Sequence, residues 1–327
     1  MSENLKKLQS EIIKGYSKYN FQGKCLYVKH IDIFISGELE EIYADSLEKA
    51  AKKGVKTYQE KLQEVYSSGE WTQKEERDLE EKIDYVKRLE ETKRKMFLKS
   101  QIEYMKFEIA EFEKKIKELQ SKKDKAIGIT AESFADKRIN DKFFFLSSFS
   151  DENLKNSFWT EEDYDELEPD EYISISSKFL EHTEKFSSRT LKKISISPSF
   201  MNYFYICSED PCAFWGKPVA HLSFYQNEVF SHAKYYKSIL ANTNGIPDDI
   251  KDDPDKIVEW FETNKNAEKV LSKYDKDNSN VSLVGATKED LDHIGLGGQV
   301  SKNNLIKEAA KRGGKLSMED MLRISNV

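Results

Sequence analysis

The sequence predicts a mainly α-helical protein: a long coiled-coil-like helix joined to an aromatic-rich helical domain, ending in a flexible C-terminal tail. Three observations carry that expectation. Residues 73–125 contain neither Gly nor Pro, the two residues that most disfavour a helix interior. Within that stretch Leu98, Ile102, Met105, Ile109, Phe112, Ile116 and Leu119 recur at alternating steps of four and three, the stripe of a helix packed lengthwise against another. Charged residues make up 34% of the chain against 38% hydrophobic ones, a balance that suits long solvated helices better than one large globule.

Taken in order, residues 1–70 form an N-terminal helical head. Residues 5–13 suit a short amphipathic helix and residues 24–28 are β-prone, so the first 35 or so residues stay open between helix and strand. From Ser36 onward Leu39, Ile42, Tyr43, Leu47 and Ala50 fall on one helical face. Gly54 interrupts it, and residues 55–66 make a second short helix closed by Ser67-Ser68-Gly69.

Residues 71–127 form the arm. It opens at Trp71-Thr72-Gln73-Lys74-Glu75, where Thr72 can cap the helix and Glu75 can close a capping box. It stops near Gly128, and at ~1.5 Å per residue it would span on the order of 75 Å. The stripe has a flaw: Leu79, Ile83 and Val86 keep the rhythm, which then lands on Glu90 and Lys93. A stutter in a continuous helix explains the slip, and so does a hairpin folded at residues 90–95. No turn residue stands there, so the sequence favours the continuous helix. Its apolar stripe must be buried against another copy, another protein or the chain's own helices.

Residues 128–246 read as an aromatic-rich helical core domain. Thr130 starts a capped helix running toward Asn140, and residues 143–236 hold more than half of the aromatic side chains. Thr160 caps an acidic helix start, Pro169 marks a further turn, and residues 180–196 are helical in pattern. Residues 201–206 are an apolar run expected to be buried. A loop over residues 208–219 holds two prolines and a glycine and carries Phe214 and Trp215, and a helix follows over residues 223–240. Phe214 reads as core packing and Trp215, beside Gly216, as a partner contact. Lys217 has no companion base or electrophile. Residues 247–327 comprise an acidic linker with Pro247 and Pro254, a helix over residues 256–271 and a flexible tail. In the tail, residues 287–291 could start a single-turn helix, while Met318, Met321, Leu322 and Ile324 form one apolar face. These short elements either dock on their own domain or act as helix-in-groove ligands.

Several function classes are disfavoured. A net charge of -7 with interspersed basic residues lacks the phosphate-neutralising footprint of nucleic-acid binding. No run of 18 apolar residues exists to span a bilayer, and the first residues lack the pattern of a signal peptide. Cys25, Cys207 and Cys212 suggest no disulfide framework, so a cytoplasmic protein is expected. Cys207, Cys212, His221 and His232 have the wrong spacing for zinc. Asp275-Lys276-Asp277-Asn278-Ser279 begins like a calcium loop, but Asn280 and Ala286 stand where Gly and Glu are needed. The clusters Gly295-Leu296-Gly297-Gly298 and Gly313-Gly314 lack the Lys-Ser/Thr pair of a phosphate loop. No Gly-x-Ser-x-Gly elbow occurs. No catalytic residue, metal or cofactor is expected. The enzymatic alternative is a hydrolase with a helical insertion, which requires a pocket near His221 and His232.

Six short stretches bear a further likeness: Gly69-Glu70-Trp71-Thr72, Lys99-Ser100-Gln101-Ile102, Gly128-Ile129-Thr130-Ala131-Glu132, Asn202-Tyr203-Phe204, Phe214-Trp215-Gly216-Lys217-Pro218 and Leu222-Ser223-Phe224-Tyr225-Gln226. Through them, residues 36–260 resemble tail or baseplate assembly chaperones of large contractile-tailed bacteriophages. The resemblance implies a non-enzymatic role in virion assembly, in the host cytoplasm, with phage tail or baseplate proteins as partners. Self-association through the long helix, and permanent residence in the virion tail or neck, are the alternatives it leaves. On this reading the protein-contact residues are the seven of the stripe, Phe214 and Trp215, and Met318, Met321 and Leu322 of the tail.

Overall fold

A computed structural model of the chain describes residues 3–21, 23–242 and 245–277. These residues are mostly helical, with thirteen α-helices and one small three-stranded sheet. The chain divides into two compact units, Met1–Thr72 with Asp124–Ile257, and Gln73–Lys123 with Val258–Val327. No described helix is long and apolar enough to cross a membrane.

In the first unit α1 (Glu3–Lys14) buries Leu8, Glu11 and Ile12. Gly15 takes φ +79°, which glycine adopts without a Cβ clash. The chain then enters β1 (Tyr16–Phe21) and β2 (Lys24–Lys29), antiparallel with Tyr16 opposite Lys29 and Phe21 opposite Lys24. A two-residue connection with Gly23 at φ +79° joins them. β3 (Ser148–Phe149) pairs with the other edge of β2, giving the order β1-β2-β3. The question left by the first 35 residues is thus settled as helix, then hairpin.

Asp32 caps α2 (Ile33–Lys52), its carboxylate accepting from the Ile35 N–H at 3.0 Å. A capping box of Thr57 and Glu60 opens α3 (Tyr58–Ser68), and Gly69 closes it in the left-handed region. α6 (Ala131–Ser147) opens on a second capping box, Thr130 with Ser133, and packs along α2. Beyond β3 come α7 (Glu161–Asp165), α8 (Pro169–Thr183), a 3-10 turn (Glu184–Phe186) and α9 (Ser188–Ser195). The helix expected over residues 180–196 is broken at Ser187, which is extended at φ -55°, ψ 152°. On an unbroken helix Phe186 and Leu191 would point about 140° apart; the break lets both be buried in the same core.

The unit closes with α10 (Pro198–Ile206), α11 (Pro211–Trp215), a second 3-10 turn (Val219–His221) and α12 (Phe224–Ala241), which opens on a capping box of Ser223 and Gln226. One core joins Leu8 and Ile12 of α1 to α9, α10 and α12. A second joins Leu26 and Val28 of β2 to Phe144, Trp159, Tyr164, Ile175 and Phe179. The expectation that residues 201–206 are buried is corrected. Met201 and Phe204 are buried, while Tyr203, Tyr205 and Ile206 are exposed, because a helix turns only one face to a core.

In the second unit the long helix is not continuous. α4 (Gln73–Lys93) and α5 (Lys99–Ile127) are separate helices, joined through residues 94–98; α5 runs on past Lys123, the limit of this unit. They are antiparallel: Lys122 pairs with Glu75, Lys123 with Glu76 at 2.7 Å, and the Tyr85 hydroxyl donates to Glu108 at 2.6 Å. The 75 Å rod is therefore folded back on itself. The physical reason is that an apolar stripe needs a partner, and α4 supplies it within the chain. The turn contains no Gly or Pro, but Asn266 of α13 (Pro254–Asp277) donates its amide N–H to the carbonyls of Arg94 at 2.8 Å and Met96 at 3.2 Å. Helix-end carbonyls that α4 cannot satisfy are thus met by a neighbouring side chain. Lys106 of α5 further pairs with Glu259 of α13 at 2.7 Å.

Candidate functional site

The first unit encloses a cluster of polar side chains where α1, β1, the segment after β2, α8 and α12 converge. Glu11, Ser17 and His30 are all buried. The Ser17 hydroxyl donates to Glu11 Oε2 at 3.0 Å and lies 2.8 Å from His30 Nε2. A serine hydroxyl has one proton. With that proton given to Glu11, Ser17 accepts from His30, so Nε2 carries the hydrogen and Nδ1 is a bare lone pair. Burial, reinforced by the charges of His182 and Lys217, holds the His30 pKa down to about 3, so the ring is neutral at physiological pH. His182 Nε2 stands 3.0 Å from the same Glu11 oxygen.

Aromatic rings wall the cluster. Tyr19 meets His182 edge-on at 4.6 Å, His30 meets Phe186 and Tyr225 at 5.1 Å each, and Phe186 stacks on Tyr225 at 4.7 Å. Burial is the main force raising the Tyr19 and Tyr225 hydroxyls above their ordinary pKa. A small cavity lined in part by Ser17, Tyr19, His30, His182 and Tyr225 has a volume of about 20 Å³, room for about one water molecule. Gln226 fastens the arrangement from α12: its carbonyl accepts from the Ser223 N–H at 3.0 Å, and its amide donates to the Ile12 carbonyl of α1 at 2.9 Å. Lys217, half-buried, has its pKa lowered chiefly by burial. Its ammonium would lie 3.2 Å from a Cβ at Gly15, a second constraint on that glycine.

A serine beside a histidine invites comparison with a nucleophile and its base. Here the roles are reversed: the imidazole donates to the hydroxyl and cannot take its proton. Ser17 is also only 1% exposed. The arrangement acts as a lock joining α1 and the hairpin to the helices. No sequence motif announces it, because Glu11, Ser17, His30 and His182 come from four separate elements.

The residues singled out by sequence are dispersed. Leu98, Ile102 and Ile109 are buried, and Met105, Phe112, Ile116 and Leu119 partly so. Phe112 meets the Tyr85 ring at 4.7 Å, so the stripe lies inside the hairpin. Phe214 and Trp215 are half-buried against the first core, their rings 4.8 and 6.0 Å from Phe200. Met318, Met321 and Leu322 lie outside the described residues, as do residues 287–291. His221 contacts Phe34, and His232 lies 3.3 Å from Glu228; neither lines the cavity beside His30, the cavity between β2 and α8 or the groove beside α1 and α9. Among those residues no group of three His, Cys, Asp or Glu is placed to hold a metal, and the three cysteines are free.

Sequence reasoning missed the outward apolar side chains. Tyr104 and Phe107 of α5 are 63% and 67% exposed. On α10, Tyr203 and Ile206 are 65% and 75% exposed, and Ser208 and Glu209 directly after the helix take φ +52° and +63°, a region L-residues with side chains seldom occupy. A signal was present: residues 201–206 are too apolar all round for a nine-residue helix that can bury only one side. The chain matches no family model, no curated protein and no solved structure.

Proposed function

We propose that the protein is a non-enzymatic assembly factor of a contractile-tailed phage that binds a tail or baseplate subunit through the exposed face of α10. The observation that carries this reading is the contrast across that helix, with Met201 and Phe204 buried and Tyr203, Tyr205 and Ile206 outward. Adjacent exposed apolar side chains mark contact surfaces. The left-handed pair Ser208 and Glu209 follows at once, and such backbone concentrates at functional segments when its surroundings hold it. Lys237 of α12 does the holding, bonded to Glu209 and 5.1 Å over the Tyr205 ring. That the partner is a phage subunit rests on the resemblance of the short stretches, one of which, Asn202-Tyr203-Phe204, lies within α10 and contributes Tyr203 to this face.

The test is co-purification of the tagged chain from infected cells. Virion structural proteins should accompany it, and the double variant Tyr203→Asp, Ile206→Asp should lose them while keeping its melting temperature. Unchanged recovery by the variant overturns the assignment of α10. Finding the chain in purified particles would make it a resident of the tail or neck instead of a transient factor.

A further inference from the structure

The Tyr19 hydroxyl, His30 Nδ1 and His182 Nε2 are buried and make no hydrogen bond among the described residues. Their side chains come from β1, the segment after β2 and α8, and all three residues line the same small cavity. The rings follow one another: Tyr19 meets His182 at 4.6 Å, His182 meets Phe186 at 5.2 Å, and Phe186 meets His30 at 5.1 Å. A buried polar atom without a partner carries its full desolvation penalty, so three on one cavity call for a common partner.

The bond each atom needs follows from its proton. His30 turns its Nε2–H toward Ser17, so Nδ1 needs a donor. Burial is the main force keeping the Tyr19 hydroxyl protonated, and that proton needs an acceptor. His182 Nε2 stands 3.0 Å from Glu11 Oε2, closer than two acceptors would stay, so it carries hydrogen. Its N–H is nevertheless not aligned to bond that oxygen. One acceptor and two donors are thus presented to one space.

Size and charge narrow the occupant. A volume of about 20 Å³ holds about one water molecule. No Asp or Glu among the described residues lines the cavity, so a metal or ammonium ion would find no carboxylate. Lys29 lines it but is paired with Asp32 at 2.7 Å, so an anion would find that ammonium already engaged. What fits is a neutral molecule with one heavy atom that both donates and accepts.

We propose that this cavity is a binding site for a single internal water, which donates to His30 Nδ1 and accepts from the Tyr19 hydroxyl and the His182 Nε2–H. Three bonds are usual for a buried water. The molecule would join the hairpin to α8 where the three side chains make no direct bond, extending the lock built on Ser17. This site is independent of the α10 face and of any partner.

The test uses the full chain. A high-resolution crystal structure should show one peak about 2.5–3.2 Å from Tyr19 Oη, His30 Nδ1 and His182 Nε2. In solution, magnetic relaxation dispersion of the solvent should detect this water as long-lived. Tyr19→Phe keeps the ring and drops only the hydroxyl, and should shorten the residence by roughly tenfold or more; a cooperative melt is its folding control. Nitrogen NMR of the wild type should find the His30 hydrogen on Nε2, with Nδ1 accepting a bond. Rings that close on one another with no peak between them overturn the proposal, as does a residence unchanged in Tyr19→Phe. A hydrogen on His30 Nδ1 overturns it as well. The crystal and NMR measurements on the wild type decide the matter even if Tyr19→Phe does not fold.

Discussion

The polar lock of the first unit and the helical hairpin of the second hold their elements together by opposite means. The lock uses neutral and charged groups removed from water, Ser17 between Glu11 and His30, each needing its partners. The hairpin uses an apolar stripe edged by ion pairs, several of them wet: the Lys122 and Glu75 side chains are 58% and 28% exposed. A buried network depends on every member and on pH, whereas a wet ladder is redundant. The difference can be broken at four points.

Acid should produce the largest effect. His30 has a folded pKa near 3 against about 6.5 for an unperturbed imidazole. The unfolded chain therefore binds the proton more readily, and the contribution of neutral His30 is whole above pH 6.5 and falls away as pH drops toward 3. The loss is up to about 1.4 kcal/mol per pH unit, roughly 5 kcal/mol across the window. The groups around the ring are Glu11 of α1 through Ser17, His182 of α8, Tyr225 of α12 and Lys217. Urea titrations from pH 7 to pH 4 should show a steeper decline in wild type than in His30→Leu. Parallel slopes would show that the other carboxylates, not the lock, set the acid response.

Breaking the hairpin comes next. Ile109 is 6% exposed in mid-α5, and Ile109→Pro removes a backbone bond and clashes with the preceding turn, at a cost of about 3 kcal/mol or more. Hydrogen exchange along residues 99–123 should rise by two orders of magnitude or more, with no pH dependence of the kind seen at His30. Protection that survived would mean α5 is held by something other than its own helix and the α4 face.

How far these arrangements could be read in advance follows from where their parts lie. The caps at Thr130 and Thr160 and the stop at Gly69 were legible because caps and stops are local. The stripe was legible too, as the inward face of α5. Its turn was not, because the group that satisfies the carbonyls of Arg94 and Met96 is Asn266, some 170 residues onward. The slip of register at Glu90 was the trace that the turn leaves in sequence. The β-hairpin had a local signal that was half seen: Tyr16, Tyr19 and Phe21, β-prone residues between Gly15 and Gly23, precede the β-prone residues 24–28. The lock had none. Glu11, Ser17, His30 and His182 are ordinary in their own neighbourhoods and become a cluster only after α1, the sheet and α8 have packed.

That distant partnership gives the third point. Asn266→Ala leaves two carbonyls at the end of α4 to water or to nothing. With the Asn266 side chain part-buried over Met96, the loss should be about 1 kcal/mol. Asn266→Asp, which keeps the shape but cannot donate, should lose at least as much, since its charge faces carbonyl oxygens. Thermal melting of the two variants distinguishes a bonding role from packing: if Asn266→Asp matches wild type, the amide does not hold the turn.

The smallest effect should fall on the ion pairs, and unevenly. Lys122 and Lys123 are neighbours in sequence and reach Glu75 and Glu76, neighbours on α4. Their settings differ: the Lys123 and Glu76 side chains are 11% and 19% exposed, against 58% and 28% for Lys122 and Glu75. An exposed pair contributes about 0.2–1 kcal/mol and is screened by salt. Lys122→Ala should therefore cost under about 0.5 kcal/mol and become silent in 1 M NaCl. Lys123→Ala strips Glu76 of its cation in a drier place and removes alkyl packing as well, so it should cost more and keep most of its effect in salt. A double-mutant cycle with Glu76→Gln measured at both salt concentrations decides the matter. If Lys122 and Lys123 respond alike, the hairpin is held by its stripe alone and the contrast with the lock is sharper still.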